Sequence, residues 1–175
     1  DPEYGTALAV NHWTRAGKEV AYVLASSGEA GIEGMHPSEA GPIREAEQRR
    51  AITHVGVNEL EFLGLPDGRI EHGLPLRRTL AEAIRRHRPE LVITLTYEEL
   101  LGDFRNQADH RAVGLATLDA VSDAGNSWIF EDLAGDPWSG VKYVAVFAHS
   151  DPSHGVHVDA EDLEAGTRAL AEHRD

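Results

Sequence analysis

Apolar residues recur along this chain with two different periods, and the alternation between them lays out the fold. Between positions 5 and 16, Leu8, Ala9, Val10 and Trp13 sit at helical spacing, and Gly17 stands where a helix would stop. The apolar run over 19–24 then has the length of a strand and leads into a glycine-rich loop over 26–34. The pattern predicts a second helix over 38–55 and a short strand over 60–63 that ends in the turn Leu65-Pro66-Asp67-Gly68. A third helix is predicted over 74–87, where Leu76, Leu80, Ala83 and Ile84 share a face, and Pro89 ends it before a strand over 91–95. After a polar loop, Asp109-His110 opens a further helix. The pattern weakens over 125–140, resumes as a strand over 141–147 and closes with a helix over 161–173. Strands that are continuously apolar and separated by helices belong to a mostly parallel sheet covered on both faces. The expected fold is therefore α/β, a three-layer Rossmann-like arrangement in a single domain over 1–175.

Ligands of such sheets bind beyond the carboxyl ends of the strands. Glu29, Asp67 and Asp109-His110 each follow a different predicted strand, so they are expected to converge on one crevice.

Composition narrows the chemistry. With 175 residues, 41% of them hydrophobic, the chain can bury one good core. It has no cysteine, which excludes disulfides, thiolate metal sites and cysteine nucleophiles, so any metal must be held by His, Asp or Glu. A formal net charge of −14 argues against nucleic acid and anionic membrane surfaces as partners. No apolar run approaches the ~20 residues of a spanning helix and no signal-peptide pattern opens the chain, so a cytoplasmic location is expected. No dinucleotide fingerprint or phosphate loop follows a strand.

His110 is the most informative single residue. Imidazole is a common zinc ligand, and a neighbouring carboxylate such as Asp109 can orient it or take part in proton transfer; the same aspartate could equally serve as a helix cap. Together with Asp1-Pro2-Glu3-Tyr4-Gly5, Ser27-Gly28-Glu29-Ala30-Gly31, Arg44-Glu45-Ala46-Glu47 and Phe62-Leu63-Gly64-Leu65-Pro66-Asp67-Gly68, the segment Asp109-His110-Arg111-Ala112-Val113-Gly114 resembles the PIG-L (LmbE-like) family of zinc-dependent de-N-acetylases. The motifs occur in unbroken family order from residue 1 to about the final helix.

That resemblance implies a zinc-dependent hydrolase that removes an acetyl or related acyl group from an amino sugar or glycoconjugate. It assigns Asp1 and His110 as metal ligands and expects a third ligand, a histidine, and the general-base aspartate to lie before residue 1, with the first strand of the sheet; a carboxyl-terminal tail is also expected. Glu29, Arg44 and Asp67 match the family's sugar-contacting residues, two carboxylates and a guanidinium suited to paired hydroxyls. Read without the family, Arg44 belongs to a charged helix face and Gly28 and Gly31 only shape a turn. Asp109 matches an aspartate that tunes neighbouring acid-base groups. Gln107 departs from the pattern, because many members carry histidine there as general acid, and glutamine cannot transfer a proton at neutral pH. His149, His154 and His157 form a second group that could supply that proton, His154 and His157 foremost, or they are solvated loop histidines. The other reading is a sugar-binding or regulatory domain that has lost turnover. The substrate is a small molecule in either case, and a homo-oligomer is open.

Overall fold

The computed structural model describes residues 2–174. Its four longer strands pair in parallel, as continuous apolar runs separated by helices require, and the fold is α/β. The chain forms two compact units, one running to Asp67 and resuming at Ser153, the other spanning Gly68–Pro152.

The first unit opens with a single 3-10 turn, Pro2–Tyr4, followed by α1 (Ala7–Arg15), β1 (Ala21–Leu24), α2 (Pro37–His54) and β2 (Glu59–Phe62). Gly17 adopts φ 80°, the left-handed backbone that ends α1 as its position in the sequence suggests. β1 and β2 pair in parallel from Ala21 opposite Glu59 to Leu24 opposite Phe62. Ala7 and Val10 of α1, Tyr22 of β1, Ala51, Ile52 and Val55 of α2, and Val57 beyond it form the core with Ala165 and Ala169 of the final helix. Trp13, Val20 and Leu60 pack against it.

In the second unit α3 (Leu74–His87) leads to β3 (Leu91–Leu95). Next come a short antiparallel hairpin, β4 (Leu100–Leu101) and β5 (Phe104–Arg105), then α4 (Ala108–Gly125) and β6 (Tyr143–Phe147). β3 and β6 are parallel in register, Leu91 opposite Tyr143 through Leu95 opposite Phe147. The hairpin has no precedent in the sequence pattern, since two-residue strands are too short to show a period. Alanines at four-residue spacing, Ala112, Ala116, Ala120 and Ala124, form one buried stripe of α4, and α3 packs along that helix. The buried Arg85 of α3 donates to the carbonyls of Ala124 at 3.2 Å, Asn126 at 2.9 Å and Ile129 at 3.1 Å, placing a cation at the carboxyl end of α4 where the helix dipole favours one.

The last helix, α5 (Ala160–Leu170), belongs to the first unit and starts with a reciprocal capping box between Asp159 and Asp162. Helices and strands lie within a few residues of their predicted positions; α5 ends at Leu170, short of 173, because Ala171 caps it. Among the described residues no helix is long and apolar enough to cross a membrane.

Candidate functional site

The polar loops at the carboxyl ends of β1 and β2 are locked to each other. Asp67 accepts from Ser26 Oγ at 3.0 Å through one oxygen and from the Ala30 amide at 3.0 Å through the other, while its own amide donates to Glu29 Oε1 at 2.9 Å. Glu29 and Asp67 thus meet, as their positions after neighbouring strands predict. Both oxygens of Asp67 are committed to holding the loop. Glu29 Oε2 is buried without a hydrogen-bond partner among the described residues, an unmet demand of roughly 1–3 kcal/mol unless a donor arrives. Arg44, on α2, reaches toward this loop: a Cβ built on Gly28 would stand 3.6 Å from its Nε, and its Nη1 lies 3.5 Å from Glu47 Oε2.

The second unit holds the Asp-His pair. Gln107 is the N-cap of α4 and makes no side-chain cap bond, so Asp109 is not the cap; it sits one residue inside the helix and is buried. Its carboxylate accepts from the amides of Gly68 at 2.7 Å and Ile70 at 3.2 Å, pinning the turn that follows Asp67 in the chain. With both oxygens accepting from backbone N–H groups, Asp109 positions a loop. Gln107 is exposed.

His110 Nδ1 lies 3.2 Å from Asn106 Oδ1. Asn106 has no role legible in the sequence; it is 2% exposed and one of the most engaged residues of the fold. Its Nδ2 donates to the carbonyls of Thr96 at 2.8 Å and Glu98 at 2.9 Å, its amide to Glu99 O at 2.8 Å, and its carbonyl accepts from Arg111 Nη1 at 2.6 Å. An asparagine shortly before a helix and four residues before a histidine is the available signal, and only the tertiary fold gives it meaning.

The same loop after β3 carries a second polar network. Glu98 accepts from Ser150 Oγ at 2.6 Å and Ser150 N at 2.7 Å, and these bonds hold its carboxyl below the usual carboxylate range. His149, half-buried, packs edge-on to Tyr97 with ring centroids 6.2 Å apart and brings Nε2 within 3.8 Å of Glu98 Oε1. Its Nδ1 accepts from the Asp151 amide at 3.2 Å. Ala148, just before it, has φ 57°, a backbone conformation that costs a non-glycine residue roughly 1–2 kcal/mol. His154 and His157 lie exposed in the segment before α5, with His154 Nδ1 2.9 Å from the adjacent Ser153 Oγ.

Asp1 lies outside the described residues. Among the described residues no group of three or more His, Asp or Glu side chains is arranged to hold a metal ion. The donor chemistry of His110 does fit one: with Nδ1 occupied by an amide oxygen, Nε2 is the ring nitrogen that keeps its lone pair. A shallow depression lined by Val121, Gly125, Asn126 and Trp138 lies at the other end of α4, about 22 Å along the helix from His110 at 1.5 Å per residue, and has none of this chemistry.

Comparison with known proteins adds three kinds of likeness. The PIG-L family model, described as GlcNAc-PI de-N-acetylase, matches residues 1–121. The probable N-acetyl-alpha-D-glucosaminyl L-malate deacetylase 2 of Bacillus anthracis is 28% identical over 129 residues, which is 70% of this chain and 55% of that protein. The chain thus spans about half the length of this curated relative. Of solved structures, the N,N′-diacetylchitobiose deacetylase from Pyrococcus horikoshii aligns with a TM-score of 0.90 at 21% identity, covering 99% of this chain and 66% of its own. A conserved protein from Thermus thermophilus aligns at 0.83 and 24% identity over 99% of this chain and 74% of its own. The 4-carboxy-2-hydroxymuconate hydratase of Pseudomonas putida aligns at 0.62 and 21% identity, over 78% and 58%. These structural likenesses establish the fold.

Proposed function

Because the chain belongs to the PIG-L family, whose model matches well over half of it, we propose that it is a metal-dependent hydrolase removing an acetyl group from the amine of an amino sugar or glycoconjugate. The observation that carries this reading is the contact that holds His110 in the first turn of α4, Nδ1 3.2 Å from Asn106 Oδ1. Asp1 and His110 are proposed as ligands of zinc. Zinc, when bound, supplies a Lewis acid that activates water and polarises an amide carbonyl.

The chain's own residues take the remaining tasks. Glu29 Oε2, buried and lacking a donor, suits a sugar hydroxyl, and Arg44 beside the Gly28 turn suits another oxygen of the same ring. Asp67 acts on substrate through the loop it clamps rather than by contact. Asp109 holds the Gly68–Ile70 backbone. Protonation of the leaving amine falls to a histidine, since Gln107 can only donate a hydrogen bond. His149 is a stronger candidate than the exposed His154 and His157, because it lies in the same compact unit as His110 and is oriented by Tyr97 and Glu98.

Gln107 also favours a second reading, a sugar-binding domain without turnover. Acetate release from N-acetylglucosamine conjugates by the intact protein separates the two. The hydrolase reading expects zinc-dependent release, abolished by a chelator and restored by zinc. If Gln107 limits proton donation, Gln107→His raises the rate, by ~10² to 10⁴-fold where geometry permits. Tight sugar binding with no acetate over long incubation would replace the enzyme by the binding domain.

A further inference from the structure

Asparagine side chains are ambiguous about which end is oxygen, but the surroundings of Asn106 remove the ambiguity. Its Nδ2 spends both hydrogens on two backbone carbonyls, Thr96 O at 2.8 Å and Glu98 O at 2.9 Å. Turning the amide over would set an oxygen against two oxygens and forfeit both bonds. Oδ1 therefore faces His110, 3.2 Å from Nδ1, and an oxygen with no hydrogen of its own can only accept. Nδ1 must carry the imidazole proton. A neutral imidazole has one N–H, so Nε2 holds the lone pair.

We propose that Asn106 is the positioning residue that presets the tautomer and ring orientation of His110 before any metal arrives. The anchor is stiff because its other end is the sheet. Thr96 directly follows β3, is fully buried and donates its amide to Phe147 O in β6 at 2.9 Å, so the Thr96 carbonyl that grips Asn106 is fixed beside the parallel strand pair. Arg111, in the same turn of α4 as His110, closes the bracket on the Asn106 carbonyl at 2.6 Å. Helix α4 is thus tied through one amide to the carboxyl end of β3. A ligand whose tautomer and angle are already set gives up no rotamer freedom when a metal binds, and losing such a supporting partner typically lowers metal affinity ~10 to 100-fold.

The inference rests on the reading of His110 as a metal ligand, and its decisive measurement is made without metal. Nitrogen-15 correlation spectra of the imidazoles in the metal-free intact protein, with His110→Ala to assign the signal, are recorded at about pH 8, above the ordinary imidazole pKa of ~6.5. The expected result is an Nδ1–H tautomer for His110 in the wild type. Asn106→Leu should mix the tautomers and weaken zinc binding in chelator competition ~10 to 100-fold. Asn106→Asp keeps an oxygen toward Nδ1 while removing the donor to Thr96 and Glu98, so it should retain the Nδ1–H tautomer and most of the zinc affinity while lowering thermal stability. A wild-type His110 protonated on Nε2 overturns the proposal whether or not either variant folds. So does an Asn106→Leu protein that loses stability but keeps both tautomer and zinc affinity, which would make Asn106 a structural residue only. Failure of acetate release would remove the deacetylase reading and leave the tautomer result standing.

Discussion

Replacing Gly114 by alanine tests how tightly α4, and with it His110, is seated on the sheet. A Cβ at this position would lie 2.5 Å from Leu95 O, with Tyr97 N at 3.3 Å and Thr96 C at 3.4 Å, all of them backbone atoms at the end of β3. Reaching ordinary contact of 3.4 Å requires the helix and strand to part by about 0.9 Å at this point. Overpacking of this kind costs ~1–3 kcal/mol, whereas the gain in helix propensity from glycine to alanine returns at most ~1 kcal/mol. The clash wins, and net destabilisation of about 1–2 kcal/mol is expected. Gly166→Ala supplies the contrast: its Cβ meets Leu8 Cδ1 at the same 2.5 Å, but that methyl ends a side chain that can rotate away, so the change should stay within about 1 kcal/mol of wild type. Urea unfolding of the three proteins at one pH measures both, with midpoints compared at unchanged slope. Gly114→Ala as stable as wild type, or more stable, would refute the claim that backbone contact between α4 and β3 sets the position of His110.

His110→Ala should reduce bound zinc sharply, since the proposed site would lose one of its ligands; equal metal content by elemental analysis would sink the ligand assignment. Asp109→Ala strips the acceptor from two backbone amides and should destabilise by about 2–4 kcal/mol, with faster hydrogen exchange at Gly68 and Ile70; unchanged exchange at both would show that Asp109 does not hold the loop. For Asp162, burial raises the carboxyl pKa but is outweighed by hydrogen bonds with Asp159, Asn11, Arg15 and His12, so its folded pKa lies below the ordinary ~3.9. A depressed folded pKa contributes stability that is full above ~3.9 and is lost as pH falls below it. Asp162→Asn should therefore weaken the protein at neutral pH and flatten the acid limb of its stability profile. An acid limb as steep as wild type would assign the loss to other carboxylates.

Legibility tracks the range of the interaction responsible. The period of Leu76, Leu80, Ala83 and Ile84 is local, so the sequence pattern marks α3 to the residue; Gly17 marks the end of α1 for the same reason. The family, too, is legible, because short motifs in order survive divergence that blurs everything between them. Asp109 shows the opposite case. Its neighbours in sequence allow a cap or an acid-base partner; the cap is Gln107, and what no local pattern shows is that its carboxylate accepts from amides 39 and 41 residues away. Asp67 likewise carries the chemistry of a sugar contact, and the fold spends both its oxygens on Ser26 and Ala30.

These hydrogen bonds bear on Gln107 more than on any other residue. Asp109 and Asp67 each accept two hydrogen bonds from the fold, and the imidazoles among the candidate proton donors are the histidines beyond β6. Of these only His149 is held in the second unit, with Ala148 in strained backbone before it and Glu98 beside it. Glu98 also offers its carbonyl to Asn106, so one loop after β3 supports His110 on one side and the surroundings of His149 on the other. Turnover that survives His149→Ala undiminished, with Gln107 unchanged, would break this link and return the proton to a source outside that loop.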